Sequence, residues 1–397
     1  MTLALTLLPV PVCAQDSPDD SLRLELSDSL VHVYYVKQGS VHSMSYDMEV
    51  ERFTSAVSDE EFVRRLRNMN SFIPLSYNDI VKNYCILYSE RQKSLMEEVI
   101  GQCEFYWPIF NDIFSYYGLP LELRALAIIE SRLRPTATSR MGAKGPWQFM
   151  YRTARGYGLR IDSWMDERMD PVRSTIAAAR YLKNAYEILG DWQLAIASYN
   201  CGLGNVSKAI NRSGGKRDFW DIYPYLPRET RGYLPAFMGA LYTLHYYKEY
   251  GIVPKKAAIA VPVDTFHIKK QLHFEQIAAV VGVPKETVAQ LNPQYLHEIV
   301  PGQEYPCILR LPMKFSNAFI EAGDSLYTYD TTRLFNPVTI KKIKEGGSGN
   351  AIVYKVKSGD VLGKIARRYG VSVAQIKKWN HLKSDNIRIG QKLTIYK

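Results

Sequence analysis

The C-terminal third of the chain repeats itself. Sliding the sequence by 88 positions brings Lys269, Ile277, Ala278, Gly282, Val283, Asn292, Gly302 and Gln303 onto Lys357, Ile365, Ala366, Gly370, Val371, Asn380, Gly390 and Gln391. No gap is needed among these pairs, and apolar character is kept at Ile268 with Val356 and at Val288 with Ile376. A self-match at a fixed offset means that one small unit folds twice, so this region has to build two separate cores. Each copy reads as strand, helix, a turn at Gly-Val, helix, Asn, loop, Gly-Gln, strand, a β-α-α-β unit of about 45 residues. The first copy occupies 261–313 and the second 351–397. The segment between them, 314–350, ends in KKIKEGGSGN, a basic run followed by Gly and Ser of the kind that makes a linker.

Upstream of the repeats the pattern is helical. From Leu119 to about Tyr250 strand signals are nearly absent. Pro120 suits a first helical turn, Pro135 is expected to end the helix of L-R-A-L-A-I-I-E-S-R-L-R, and Asp170-Pro171 opens a long helix, STIAAARYLKNAYEILG, closed by Gly190. Residues 46–118 also carry helical patterning, and their aromatics (Phe105, Tyr106, Trp107, Phe110, Phe114, Tyr116, Tyr117) form a packing surface for the helices downstream.

Within 123–135 a single acid, Glu130, closes the apolar run. On a helix it shares a face with Leu126, Ala127, Leu133 and Arg134. A carboxylate among leucines loses hydration, so its neutral form is favoured and its pKa rises, the condition for a general acid near neutral pH. The other reading is a solvated Glu at a helix end, paired with Arg134, as most helical Glu residues are exposed. This stretch by itself leaves both open.

A formal net charge of +10 favours acidic partners such as nucleic acid, anionic lipid or an anionic cell-wall polymer. Residues 2–14, TLALTLLPVPVCA, look like the apolar part and cleavage region of a secretory signal, with Val12 and Ala14 as the small residues before a cut at Gln15, although a positive n-region is missing. Val10-Pro11-Val12 is a poor lipidation box for Cys13. No other apolar run approaches the ~20 residues that span a bilayer. Residues 15–45 are polar and acidic and are expected to be poorly ordered. Past the cut, Cys85, Cys103, Cys201 and Cys307 include no C-x-x-C pair, so no metal site is expected. Their even number permits disulfides in an exported chain, and Cys85 with Cys103 is the pair closest in sequence.

The second repeat, YKVKSGDVLGKIARRYGVSVAQIKKWNHLKSDNIRIGQKLTIY, resembles a LysM domain over its whole length, through the SGD-x-L opening, the IA-x-x-YGVS centre, the W-N and the I-x-x-GQ-x-L close. The resemblance implies binding of N-acetylglucosamine-containing glycans between the loop after the first strand and the loop before the last. Here those loops hold Ser358, Gly359, Asp360, Val361 and Leu362 and, opposite, Asn380, His381, Leu382 and Ile387. Leu362 and Trp379 also suit a core, and Asn380 a turn. The first copy has Lys270-Gln271-Leu272 in place of SGD, which makes it a degenerate member whose glycan binding stays open.

Residues 119–245 resemble the catalytic domain of lytic transglycosylases with the goose-type lysozyme fold, most closely the membrane-bound lytic transglycosylase D group. The motifs are IESRLRP, ATSRMGAKGPWQFM, TARGYGL, DERMDP, AARYL, GDWQLAIASYNCGLGNV and LPRETRGYLPAF. In that family the Glu of the E-S motif is the catalytic acid and base, which implies this role for Glu130. Ser139 and Gln148 match positions that hydrogen-bond the sugar beside the acid, with a helix cap as the other reading of Ser139 for a helix beginning near Gly145. Tyr199 and Asn200 would orient Glu130 and contact acetamido groups, and Tyr233 would lie over the reaction centre or be packed in the interior. Trp147 suits a stacked sugar or the core. Cys201 and Leu203 replace the small residues usual in this motif.

Ordinary glycosidases pair the acid with a second carboxylate about 5–10 Å away. Glu122, Asp166, Glu167 and Asp170 are the candidates, and none has an apolar or motif context like that of Glu130. A lone acid fits a substrate that supplies its own nucleophile. The expected fold is mainly α, a lysozyme-like helical catalytic domain followed by two small β-α-α-β LysM-type domains, the first degenerate. The partition is a signal remnant (1–14), a polar and helical extension (15–95), the catalytic domain (96–250), the degenerate repeat (261–313), a linker (314–350) and the LysM domain (351–397). The expected protein is an exported, periplasmic or envelope enzyme, peripherally associated, acting on peptidoglycan glycan strands, with no cofactor, no metal and no nucleic acid. A muramidase-type hydrolase and a non-catalytic wall-binding protein are the rivals.

Overall fold

A computed structural model describes residues 53–257, 259, 262–344, 351–369, 371–380 and 382–396. The leader-like residues 1–14, the polar stretch 15–45, residues 345–350 of the expected linker and His381 lie outside the described residues. The mainly helical class with small antiparallel strand pairs near the C-terminus is as the sequence implies.

Helices α1 (Asp59–Asn68) and α2 (Asp79–Ile86) start where Ser58 and Asn78 turn their side chains to accept a hydrogen bond from a first-turn N–H. They are followed by α3 (Lys93–Tyr117), α4 (Leu126–Ser131), α5 (Pro171–Leu189), α6 (Trp192–Cys201), α7 (Leu203–Arg212) and α8 (Tyr233–Tyr246). Asp170 caps α5 by accepting from the N–H groups of Val172 and Arg173, and Gly190 closes it in the left-handed region, as the sequence predicts. Helix α4 ends earlier than expected, at Ser131 and not at Pro135, because Arg132 and Leu133 both turn left-handed. No helix forms at Gly145, and 145–150 is a run of turns ending at the short helix Tyr151–Gly156.

One continuous core runs from Phe62 to Ile252 and takes in Leu291, so the extension and the catalytic segment, divided at 95/96 in the sequence reading, pack as one body. Helix α8 is its axis, buried at every residue from Tyr233 to Thr243. Helix α2 lies against it so closely that a Cβ on Gly239 would stand 2.7 Å from the Tyr84 carbonyl carbon and 2.8 Å from its Cβ. All four cysteines in the described residues are free and buried, and the permitted Cys85–Cys103 bridge is not formed. No described helix is long and apolar enough to cross a membrane.

The first repeat consists of β1 (Val263–Ile268), β2 (Gln271–His273), α9 (Phe274–Val281), α10 (Lys285–Leu291), β3 (Ile299–Pro301) and β4 (Cys307–Pro312). Strand β1 pairs antiparallel with β4, and β2 with β3. The second repeat has β5 (Ala351–Lys355), α11 (Leu362–Tyr369), α12 (Val373–Trp379) and β6 (Lys392–Tyr396), with β5 antiparallel to β6. Each has its own core. One asparagine performs the same task in both. Asn292 bonds the Val288 carbonyl and both backbone polar groups of Arg310, and Asn380 bonds the Ile376 carbonyl and both of Thr394. These clips show that the ungapped offset fails after Gln303, where the first repeat carries four extra residues before its last strand. The expected linker is also shorter than predicted, because four short helices occupy Ser316 to Lys344 and bury Phe319 and Leu326 in the core of the first repeat.

Replacing Gly239 with Ala should destabilise the helical body by about 1–3 kcal/mol, because neither backbone at the α2–α8 contact can give way to a methyl. Denaturant unfolding followed by far-UV circular dichroism checks this, and a midpoint unchanged from the parent would show that the two helices are not in contact there.

Candidate active site

Helix α4 carries four fully packed apolar residues, Leu126 to Ile129, then Glu130 and Ser131, and stops. Two successive left-handed residues without glycine cost roughly 1–2 kcal/mol each. The fully buried Leu133 side chain recovers a similar amount, about 1.5–3 kcal/mol. The reversal sends the chain into a loop, 136–150, that folds back beside the acid. Lys144 and Phe149 exchange backbone hydrogen bonds, and Gly145, at φ +86°, sits where a Cβ would be 1.7 Å from the Arg168 carbonyl oxygen. Gln148 is left-handed as well (φ 49°) and donates its amide nitrogen to the carbonyls of Ala137 and Gly145.

Four hydrogen bonds close a circuit through the four segments that meet here. The Ser131 hydroxyl donates to the Pro146 carbonyl (2.7 Å), and the Tyr199 hydroxyl donates to the Trp147 carbonyl (2.9 Å). The Thr230 hydroxyl donates to Asn200 Oδ1 (2.9 Å), and the Tyr233 hydroxyl donates to Glu130 Oε1 (2.5 Å). The first pair ties α4 to the loop and the loop to α6. The second ties α6 to the turn at Arg228–Arg231 and returns through α8 to the acid.

Glu130 is half-buried and, among the described residues, has no cation at ion-pairing distance; Arg134 is exposed. Burial pushes its carboxyl up to about 7, opposed by the hydrogen bond from Tyr233, which favours the charged form. The other acids near it in sequence are committed elsewhere. Glu122 accepts from Ser71 Oγ and the Phe72 N–H; Asp166 is held by Arg168 and Lys144; Glu167 accepts from the Arg160 N–H and Arg173; Asp170 caps α5 and pairs with Arg310.

The residues expected at the site fall into three groups. Glu130, Gln148, Tyr199, Asn200 and Tyr233 are brought together by the circuit and its loop. The group that orients Glu130 is Tyr233, wholly buried beneath the acid, while Tyr199 supports the loop. Ser139 accepts from the Ala143 N–H and steadies the loop's outer turn, with no helix there to cap. Trp147 is core, its ring packed on Phe110 and Phe114 and its indole N–H donating to Thr175. Sequence reasoning missed Ser131 and Thr230, whose signal was a small polar residue beside each motif's key position.

In the second repeat no hydrogen bond joins the two groove loops among the described residues. Ser358, Gly359 and Val361 are exposed, Leu382 and Ile387 are half-buried, and Ile389 stands 73 % exposed on the facing loop. Leu362 is core. Asp360 accepts from the Tyr354 hydroxyl and the Lys357 N–H, so its carboxylate shapes the loop from within, and Asn380 is spent on its clip. In the first repeat the equivalent loops are hydrogen-bonded to each other as β2 and β3.

Family models match at three places. Residues 110–222 match the transglycosylase SLT domain, 262–328 the lytic transglycosylase MltD LysM-like domain, and 354–395 the LysM domain. Membrane-bound lytic murein transglycosylase D of Escherichia coli (strain K12) is 31% identical over 311 residues, 77% of this chain and 66% of that protein. This chain thus spans just under two thirds of that relative's length. Membrane-bound lytic murein transglycosylase F of Maricaulis maris is 30% identical over 142 residues, 33% of this chain and 27% of that protein. An autolysin of Enterococcus faecalis is 54% identical over 50 residues, 13% of this chain and 7% of its own length.

The raised pKa of Glu130 has a consequence for stability. The folded state keeps the proton to about 7 while an unfolded Glu releases it near 4.5, so this group's contribution is complete below the unfolded value and is lost as pH rises through the folded one. Glu130→Gln does not titrate. Its stability relative to the parent should therefore increase by roughly 3 kcal/mol between about pH 4 and about pH 8. Urea midpoints of both proteins across this range are the measurement, and a constant difference would mean that the carboxyl is solvated.

Proposed function

We propose, on the premise that this chain carries a transglycosylase SLT domain followed by a LysM-like and a LysM domain, that it is a peptidoglycan lytic transglycosylase of the cell envelope. It cleaves the β-1,4 bond between N-acetylmuramic acid and N-acetylglucosamine and leaves 1,6-anhydro ends. The observation that carries this reading is one acid, Glu130, whose burial is opposed only by a tyrosine hydroxyl, among carboxylates already committed to caps and ion pairs.

Glu130, protonated near neutrality, donates its proton to the glycosidic oxygen as the bond to C1 breaks. The neighbouring 2-acetamido group of the muramic acid stabilises the sugar cation. The 6-hydroxyl of the same sugar then bonds to C1, and Glu130, now a carboxylate, takes its proton. One bond to C1 is exchanged for another and a proton passes from O6 to the leaving oxygen, so no water is consumed and no second carboxylate is needed. Tyr233 fits both halves of this cycle: its hydrogen bond steadies the carboxylate after donation without removing the apolar surroundings that keep the acid protonated beforehand. Gln148 on the loop, Ser139 on its outer turn and Asn200 at the end of α6 are the groups assigned here to the sugars and their acetamido groups. The LysM domain holds the enzyme on insoluble glycan through the loops bearing Ser358, Gly359, Val361, Leu382 and Ile387.

Digests of purified wall should contain fragments ending in 1,6-anhydromuramic acid, lighter by one water than hydrolytic products, and Glu130→Gln should lose at least ~100-fold in rate, the usual size of a lost general acid. Mass spectrometry of the fragments decides between this and a muramidase, whose products end in reducing muramic acid.

Removing residues 351–397 should weaken retention on insoluble peptidoglycan and lower activity on intact wall, because tethering raises the local substrate concentration. Cleavage of short soluble fragments should stay near the parent rate. A pull-down run beside a soluble-fragment assay tests both halves; equal losses in the two assays would make the LysM domain part of the catalytic unit.

A further inference from the structure

The first repeat is fastened to the helical body by buried charge and by backbone. Arg310 on β4 donates from both terminal nitrogens to Asp170, at 2.8 and 3.2 Å, with the side chains only 8 and 5 % exposed. Asp166 N–H donates to the Gln294 carbonyl (2.9 Å) and Leu296 N–H to the Trp164 carbonyl (2.8 Å), so residues 164–166 pair with the repeat as a short ladder. Met165 is buried in the repeat's own core. Tyr305, among the residues added after Gln303, donates to Asp162, and the Arg160 guanidinium stands 3.9 Å above its ring. The face that would take a glycan is sealed: β2 and β3 join its two loops, and a Cβ on Gly302 would lie 2.4 Å from the Lys270 carbonyl oxygen.

The same segment, 160–170, faces the active-site loop on its other side. Asp166 holds the Arg168 guanidinium through two hydrogen bonds (2.9 and 2.7 Å) and its backbone N–H through a third (3.2 Å), and Lys144 comes within 3.5 Å of the same carboxylate. Arg168 in turn donates to the Gly142 carbonyl (2.9 Å) and the Phe149 carbonyl (3.3 Å), one at each end of the turn that carries Gln148. Its own carbonyl presses on Gly145.

We infer that the first repeat is a brace for the active-site loop and not a glycan anchor, with Arg310 a positioning residue that acts through Asp170, the 160–170 segment and Arg168 on residues 142–149. Its effect on cleavage rests on the transglycosylase reading; its effect on the loop does not. Hydrogen exchange on the full chain reads the loop directly. In Arg310→Met the amides of Lys144, Gly145 and Phe149, whose bonds define the turn, should exchange at least ~10-fold faster than in the parent, while those of α6 and of the second repeat keep their rates. Arg310→Lys keeps the charge but not the fork, and should fall between the two. Lys285→Ala, which breaks an exposed ion pair of the same repeat, should change neither. On soluble glycan fragments the Met variant should lose kcat with KM near the parent value. Parent rates of exchange across 136–150 in the Met variant, or in the Lys variant if the Met protein does not fold, overturn the inference. Failure of the parent to cleave glycan would overturn the transglycosylase reading while leaving the exchange comparison intact.

Discussion

The architecture depends on the circuit Ser131–Pro146, Tyr199–Trp147, Thr230–Asn200 and Tyr233–Glu130. A carboxyl that has to hold its proton near neutrality needs shelter from water and distance from cations, and neither condition is met by a helix end in isolation. The circuit meets both by drawing three other segments around the end of α4. Each bond is worth only about 0.5–1.5 kcal/mol, yet together they commit four stretches distant in sequence to one arrangement. The unusual backbone at Arg132 and Leu133 is a result of this, since a helix continuing past Ser131 would occupy the space where the loop returns. Glu122, Asp166, Glu167 and Asp170 are bound to structural partners of their own, and among the described residues none forms an ion pair with Glu130.

Features governed by local rules were legible in the sequence. The start of α5 at Asp170-Pro171 and its end at Gly190 are cap chemistry, and the repeat is simple self-similarity. Glu130 stood out because an acid in an apolar run is visible without coordinates. What was not legible depends on partners far along the chain. Tyr233, and not Tyr199, bonds the acid, because which hydroxyl reaches it is set by how α8 crosses α6. The helices between Ser316 and Lys344 are short, and without the core of the first repeat to receive Phe319 and Leu326 their pattern reads as linker. Strands β2 and β3 are three residues each, below any length at which alternation shows. Asp360 and Asn380 sit where a ligand is expected, but a polar side chain in a small domain is as readily recruited by its own backbone.

The two repeats put one plan to different uses. Both clip their last strand with an asparagine, and each has a core, the first sharing Met165 of the helical body and giving Leu291 to that body's core. In the second, the loops at one end stay apart and present Val361 and Ile389 to solvent. In the first, those loops pair with each other, added residues supply Tyr305, and Arg310 on the last strand is turned toward the helical body. Once its groove is closed by backbone hydrogen bonds, a module of this size has its edges and one strand end left to offer, and those are the surfaces buried against residues 160–170.

The four buried cysteines make the fold independent of disulfide chemistry. Cys85 lies on α2, Cys103 on α3, Cys201 at the end of α6 and Cys307 at the start of β4, each shielded by the core around it. Burial pushes all the described thiols whose titration is perturbed upward, away from the reactive thiolate. A thiol reagent therefore reaches them only when the surrounding segment opens. Their spacing along the chain turns them into four internal clocks, whose labelling rates report how often the N-terminal helices, the active-site helix and the braced repeat each come apart.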